Sequence, residues 1–240
     1  MYSLDFSRDG RFIASGSHDT TTRIWDMESD NALVLSPTIP PGVYAYVYSV
    51  AISPDMKLVA AGCSDGVVRI WDAGTGHLVE QLEGHTGCAR SVAFTPDDKG
   101  LISGSLDRTM KRWDLTGFLC NPDRDQPLSA TIHSDPPFSS SSSNSSTLLP
   151  PESANSGTAV LAEPASTDGH GNRGSVCSLD FVGHKIYVRS VAVSPDGQWV
   201  VSGSRDRDVR IWNSSTAEAV VTLRGHRSDR ECPVWGVVTC

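Results

Sequence analysis

Ser103, His85 and Asp107 supply a hydroxyl, an imidazole and a carboxylate, the residue types of a nucleophilic hydrolase triad, and Ser202, His184 and Asp206 supply the same three again. In both sets the histidine precedes the aspartate by 22 residues and the serine precedes it by four. An enzyme needs one such site, whereas a repeated structure needs one brace per unit. No GxSxG elbow occurs at a strand-to-helix turn, and nothing points to an oxyanion hole. The expectation is therefore non-catalytic. Histidine, serine, aspartate and a following tryptophan (Trp113, Trp212) form one chain of hydrogen bonds in which each buried polar group satisfies the next. Four aspartate pairs spaced ten apart, Asp9/Asp19, Asp55/Asp65, Asp97/Asp107 and Asp196/Asp206, would suit acid–base chemistry only if the carboxylates met. Their spacing puts them in turns at opposite ends of one strand, so a turn-forming role is expected.

The elements that position these residues recur. FSRDGRFIASGSHDTTTRIWD, ISPDMKLVAAGCSDGVVRIWD, FTPDDKGLISGSLDRTMKRWD and VSPDGQWVVSGSRDRDVRIWN align without a gap, and Asp19, Asp65, Asp107 and Asp206 each precede a tryptophan (Trp25, Trp71, Trp113, Trp212) by six. Turn clusters divide each unit into four short strands, a to d, rich in Val, Ile and Phe. Strand a alternates so that Leu4/Phe6, Val50/Ile52, Val92/Phe94 and Val191/Val193 share one face. Antiparallel four-stranded units of about 40 residues are the signature of an all-β propeller. Residues 1–116 hold three units, the third with strands a to c only. Residues 117–174 form a Ser/Pro-rich insertion expected to be disordered, and 175–240 hold the missing strand, a fourth unit and the start of a fifth, VWGVV. Ser139 to Ser146 reads as linker first and as a phosphorylation segment second.

Six scattered cysteines without a CxxC pair, and no histidine cluster, argue against a metal site and for a reducing intracellular compartment; no metal and no cofactor is expected. No apolar run is long enough to span a membrane, and the first residues do not form a leader. A net charge of −8 leaves no cationic excess to displace counterions from a phosphate backbone, so direct nucleic-acid contact is not expected.

GHTGCARSVAFTPDDKGLISGSLDRTMKRWDL and VGHKIYVRSVAVSPDGQWVVSGSRDRDVRIW resemble the WD-repeat superfamily. The blade order, with an MYSLDF entry, an AAGCSD blade lacking its GH, a variable insert and a blade opening VGHK, is most similar to the C-terminal propeller of fungal Tup-type general corepressors. That resemblance implies a nuclear, non-catalytic scaffold binding DNA-bound repressors and histone tails, with a separate helical segment recruiting a corepressor subunit. It also implies a seven-bladed ring, so four blades form an incomplete propeller that needs further blades to close. An alternative is the WD-repeat sensor or regulatory region of a fungal signalling NTPase, or another general WD scaffold, although no P-loop GxxxxGK[ST] occurs here. Candidate protein-binding residues lie seventeen and nineteen positions before the turn aspartates: Tyr46, Tyr48, Arg90, Tyr187 and Arg189, with core packing the competing role for the tyrosines.

Departures from the pattern are informative. Unit one has Ser15, Asp19 and Trp25 but no histidine; unit two has Val43 and Ala61 where histidine and serine belong, leaving Asp65 and Trp71. Arg112 replaces the isoleucine of Ile24, Ile70 and Ile211 and must pair or reach solvent. The pairs Asp107-Arg108 and Asp206-Arg207 are expected to form ion pairs bracing their turns.

Overall fold

A computed structural model describes residues 1–29, 31–35, 44–119 and 177–226. The insertion from 120 onward, Val43 and the expected fifth-blade strand lie outside the described residues. Among the described residues, sixteen strands form four antiparallel sheets, each in simple meander order. Blade 1 holds β1 (Ser3–Phe6), β2 (Phe12–Gly16), β3 (Thr22–Asp26) and β4 (Asn31–Leu35). Blade 2 holds β5 (Val47–Ile52), β6 (Leu58–Cys63), β7 (Val68–Asp72) and β8 (Leu78–Leu82). In blade 3, β9 (Ala89–Phe94), β10 (Gly100–Ser105) and β11 (Thr109–Asp114) precede a single helical turn, α1 (Thr116–Leu119), where the sequence predicts the disordered insertion to begin. The fourth strand, β12 (Cys177–Val182), pairs with β11 across the insertion, Met110 opposite Phe181. Blade 4 holds β13 (Val188–Val193), β14 (Trp199–Ser204), β15 (Asp208–Asn213) and β16 (Ala219–Arg224).

Side-chain caps set these meanders. In the a–b turn of blade 1, Ser7 Oγ donates to Asp9 at 2.6 Å and accepts the Phe12 N–H at 2.8 Å. Ser53/Asp55 and Thr95/Asp97 repeat the arrangement, as do Ser194 and Asp196. In the c–d turns Asp72 accepts the Thr75 N–H at 2.8 Å and Asp114 the Thr116 N–H at 2.9 Å. In the b–c turns Asp19, Asp65, Asp107 and Asp206 each accept the N–H two residues on, at 3.0, 3.1, 2.8 and 3.0 Å, so the two aspartates of each ten-residue pair are engaged in separate turns.

The first strands β1, β5, β9 and β13 stand side by side, and a serine stitches each to the next. Val50 N–H donates to Ser3 Oγ at 3.2 Å, Val92 N–H to Ser49 Oγ at 3.1 Å and Val191 N–H to Ser91 Oγ at 3.1 Å. Three apolar clusters fill the joints between successive blades. Each joins strands b and c of one blade to the strand-a valines and the tryptophan of the next, so Trp71, Trp113 and Trp212 are buried against a preceding blade. Trp25 has none among the described residues and stays 39% exposed. For the same reason Leu4 and Phe6, whose face is the one that buries Val92 and Val191 in later blades, are exposed at 53% and 60%. The opposite end of the series, β16, exposes Val220 and Leu223.

Arg112 does pair: its Nη1 donates to the Ser214 carbonyl of blade 4 at 2.9 Å, so the charge replacing isoleucine becomes a link between blades. The expected Asp-Arg turn pairs do not form among the described residues. Asp107 and Asp206 are occupied by histidines, while Arg108 and Arg207 take left-handed backbone angles (φ 76° and 74°) and remain exposed. Blade 2 places Gly66 at the equivalent position, where a left-handed angle costs nothing sterically.

Candidate functional site

The structure brings the two Ser-His-Asp-Trp sets into continuous chains. In blade 3, Trp113 Nε1–H donates to Ser103 Oγ at 2.8 Å, Ser103 Oγ lies 2.7 Å from His85 Nε2, and His85 Nδ1 lies 2.8 Å from Asp107 Oδ2. Blade 4 repeats this through Trp212, Ser202, His184 and Asp206 at 2.8, 2.7 and 2.9 Å. One proton assignment satisfies every group: Nδ1–H donates to the carboxylate, and the serine hydroxyl donates to Nε2 while accepting from the indole. The serines are fully buried, at 0% exposure, and their oxygens face tryptophan and histidine rather than a cleft. The connectivity matches a hydrolase triad, but the nucleophile position is closed to substrate.

Burial is the largest influence on His184 and pushes its imidazole below the ordinary 6.5, outweighing the Asp206 carboxylate. Burial alone would raise the Asp206 carboxyl, but donation from the Lys185 N–H, the His184 ring and the Asp208 N–H holds it below the ordinary 3.8. Asp107 is held well below that range by His85 and Thr109, again against burial. The blade 4 pair is thus neutral imidazole with ionised carboxylate. A depressed histidine value means the unfolded chain binds the extra proton, so this contribution is complete above 6.5 and is lost as pH falls below it. The aspartates contribute above 3.8 and lose that contribution as pH falls further. A urea midpoint measured against pH should be level above neutrality, decline below 6.5 and fall more steeply below 3.8; a midpoint that rises on acidification contradicts this.

Blades 1 and 2 depart as their sequences require. Trp25 Nε1–H still donates to Ser15 Oγ at 2.8 Å, and Asp19, lacking a histidine, accepts from Thr21. In blade 2 Arg69, 4% exposed, donates to Asp65 at 2.6 and 3.2 Å in place of the missing histidine. Trp71 Nε1 is buried with no hydrogen-bond partner, because Ala61 stands where the serine would be. Ala61→Ser should therefore stabilise the chain by about 1 kcal/mol by supplying an acceptor. Ser15 shows that this bond forms without a histidine. Urea denaturation reads it, and a loss of stability would mean the site has no room for the hydroxyl.

The binding candidates gather at the end of the blades that carries the d–a and b–c turns. Tyr46 stacks on His18 with ring centres 3.8 Å apart, and Tyr48 lies 5.4 Å from Tyr2. The Arg90 guanidinium sits 4.1 Å over the Tyr48 ring. Neither tyrosine enters an apolar core cluster; both are half-buried, and Tyr187 is 38% exposed. Tyr2, seventeen residues before Asp19, and Cys88, nineteen before Asp107, complete the series, and the spacing alone could have found them. His18 and Arg205, each immediately before a turn aspartate, join the rim with no signal from the strand-a spacing.

Among the described residues no cluster of His, Cys, Asp and Glu could hold a metal, and no helix is long and apolar enough to cross a membrane. Cys63, Cys88 and Cys177 are free thiols, and burial pushes Cys63 up to about 11, which keeps it unreactive.

Repeated four-stranded meanders, joined through buried tryptophans and braced by histidine chains, define a β-propeller scaffold. The family model for the WD domain, G-beta repeat (WD40), matches residues 1–26, 41–72, 76–114 and 175–213, more than half of the chain, and the chain belongs to that family. The transcriptional repressor rco-1 of Neurospora crassa is 45% identical over 56 residues, 23% of this chain and 9% of that protein. Nuclear distribution protein PAC1 of Arthroderma otae is 30% identical over 173 residues, 67% of this chain and 37% of that protein. A chain in a crystal structure of the mitotic checkpoint complex shares the fold with a TM-score of 0.64 at 18% identity, covering 94% of this chain and 50% of that one. The chain thus spans well under half the length of these curated relatives.

Proposed function

We propose that this chain is a non-catalytic, corepressor-type scaffold that binds segments of DNA-bound repressors or histone tails at the rim formed by Tyr46, Tyr48, Arg90, Tyr187 and Arg189. The observation that carries this reading is the gathering of aromatic and arginine side chains, the types that dominate interface energies, outside the cores of the blades. Similarity to a transcriptional repressor supports the nuclear, gene-regulatory part of the reading. In a complete ring, neighbouring blades would cover the exposed faces of blades 1 and 4.

The test is promoter occupancy of the tagged endogenous protein by chromatin immunoprecipitation. Occupancy is expected, with loss in Tyr48→Ala/Arg90→Ala at unchanged protein level and folding. A protein absent from chromatin contradicts the corepressor reading. The longer match to PAC1 favours a second reading, a scaffold for a different assembly, and imaging the same tag outside the nucleus would support it.

A further inference from the structure

The four residues seventeen positions before the turn aspartates, Tyr2, Tyr48, Arg90 and Arg189, occupy equivalent places at the entry to adjacent first strands, Tyr2 directly before β1 and the others within β5, β9 and β13. Blades 1 and 2 therefore contribute aromatic rings to the rim and blades 3 and 4 contribute cations. The residues preceding the turn aspartates sharpen the division: His18 stacks on Tyr46, whereas Arg205 is exposed beside Tyr187, whose carbonyl accepts the Arg205 N–H at 2.9 Å.

The turn aspartates at this end of blades 2 to 4 are already engaged, while Glu83, exposed just after β8, is a carboxylate there with no ion pair among the described residues. Asp65 is held by Arg69, Asp107 by His85 and Asp206 by His184. No ion pair engages Arg90 or Arg205 among the described residues, and Lys185 and Arg207 are also exposed nearby. A cleft of about 510 Å³ lined by Lys185, Arg205, Arg207, Arg224 and His226 extends the cationic ground outward; its Asp208 pairs with Arg224 at 3.6 Å. The Arg189 guanidinium is held below its ordinary range chiefly by burial and, after it, by the charges of Arg90 and Arg205 close by. This end is locally positive on a chain whose net charge is −8.

We infer that the rim takes an acidic protein segment, its carboxylates on Arg90 and Arg205 and a neighbouring apolar or aromatic side chain against Tyr46 and Tyr48. The inference rests on the proposed function and narrows it: a lysine- and arginine-rich histone tail meets like charge over blades 3 and 4, so an acidic segment of a repressor is the occupant. Arg90 is also preorganised by its stack on Tyr48, which leaves the guanidinium edge to form paired hydrogen bonds with a carboxylate.

The test is selection of a random dodecapeptide phage library on the full chain, followed by anisotropy measurements on the enriched peptides. Enrichment in Asp and Glu is expected. Affinity should fall at least about tenfold in Arg90→Gln/Arg205→Gln, and substantially with rising salt, as charge pairing at a partly solvated rim requires. Arg90→Lys/Arg205→Lys should recover part of it. Neutral or basic winners that still need Tyr48 would overturn this inference while leaving the proposed function standing. An empty selection, or binding that ignores all the rim variants, counts against both. Preference for a DNA oligonucleotide over the acidic peptides would overturn the inference in favour of a phosphate-binding surface.

Discussion

Trp113→Ala is expected to destabilise the chain by about 3–5 kcal/mol, the usual cost of emptying a large buried aromatic site. Trp113 is fully buried among Val92, Phe94, Leu101 and Leu115, with His85 against it edge-on at 6.2 Å. The substitution opens a cavity at the joint of blades 2 and 3 and removes the indole donor from Ser103. Trp25→Ala provides the internal comparison. Trp25 makes the same indole-to-serine bond but remains 39% exposed, so its loss should cost markedly less. Urea unfolding of the two variants against the parent chain reads the difference. Equal losses would mean that the joint, rather than being packed by the tryptophan, merely tolerates it.

Gly104→Ala is the second large effect, at about 1–3 kcal/mol from overpacking. The added Cβ would lie 2.8 Å from both Val188 Cγ1 and Val191 Cγ1, on strand a of the next blade. The backbone there is not left-handed, so the penalty is steric. Both valines are β-branched and buried, and neither can swing aside cheaply. Gly16 meets Val47 and Val50 in the same way, at 2.6 and 2.9 Å, so glycine on strand b is part of the joint between blades. Combining Gly104→Ala with Val191→Ala should restore part of the loss, giving a favourable coupling energy in a double-mutant cycle. Additive losses would show that the two side chains do not meet.

Much of this was legible in the sequence because a repeat is read several times over. The four aligned units fixed strand boundaries, and the constant spacings of His85, Ser103, Asp107 and Trp113 carried a three-dimensional contact in one dimension. What the spacing could not convey was competition for the same group. Asp107 has both Arg108 and His85 within reach in principle; the left-handed turn takes the arginine away, and the histidine gains the carboxylate. Nor could unit two reveal that Arg69 would take over Asp65, since a basic residue stands at that position in every unit (Arg23, Arg69, Lys111, Arg210). Alternation placed Leu4 and Phe6 on the correct face of β1, but whether that face is covered depends on a neighbour, which alternation does not report.

The rim was only half legible for a related reason. Its residues come from two positions at the entry of strand a, repeated from blade to blade, and a rule applied to three of the four blades missed Tyr2. His18 and Arg205 enter from another turn altogether and become neighbours only when the first strands align.

If the Ser-His-Asp constellations brace blades rather than catalyse, neither serine is open to an electrophile. Treating the folded 240-residue chain with a fluorophosphonate probe and recording its intact mass tests this most directly. An unmodified mass is predicted, because Ser103 and Ser202 are sealed between tryptophan and histidine. A stoichiometric adduct mapped to either serine would contradict it.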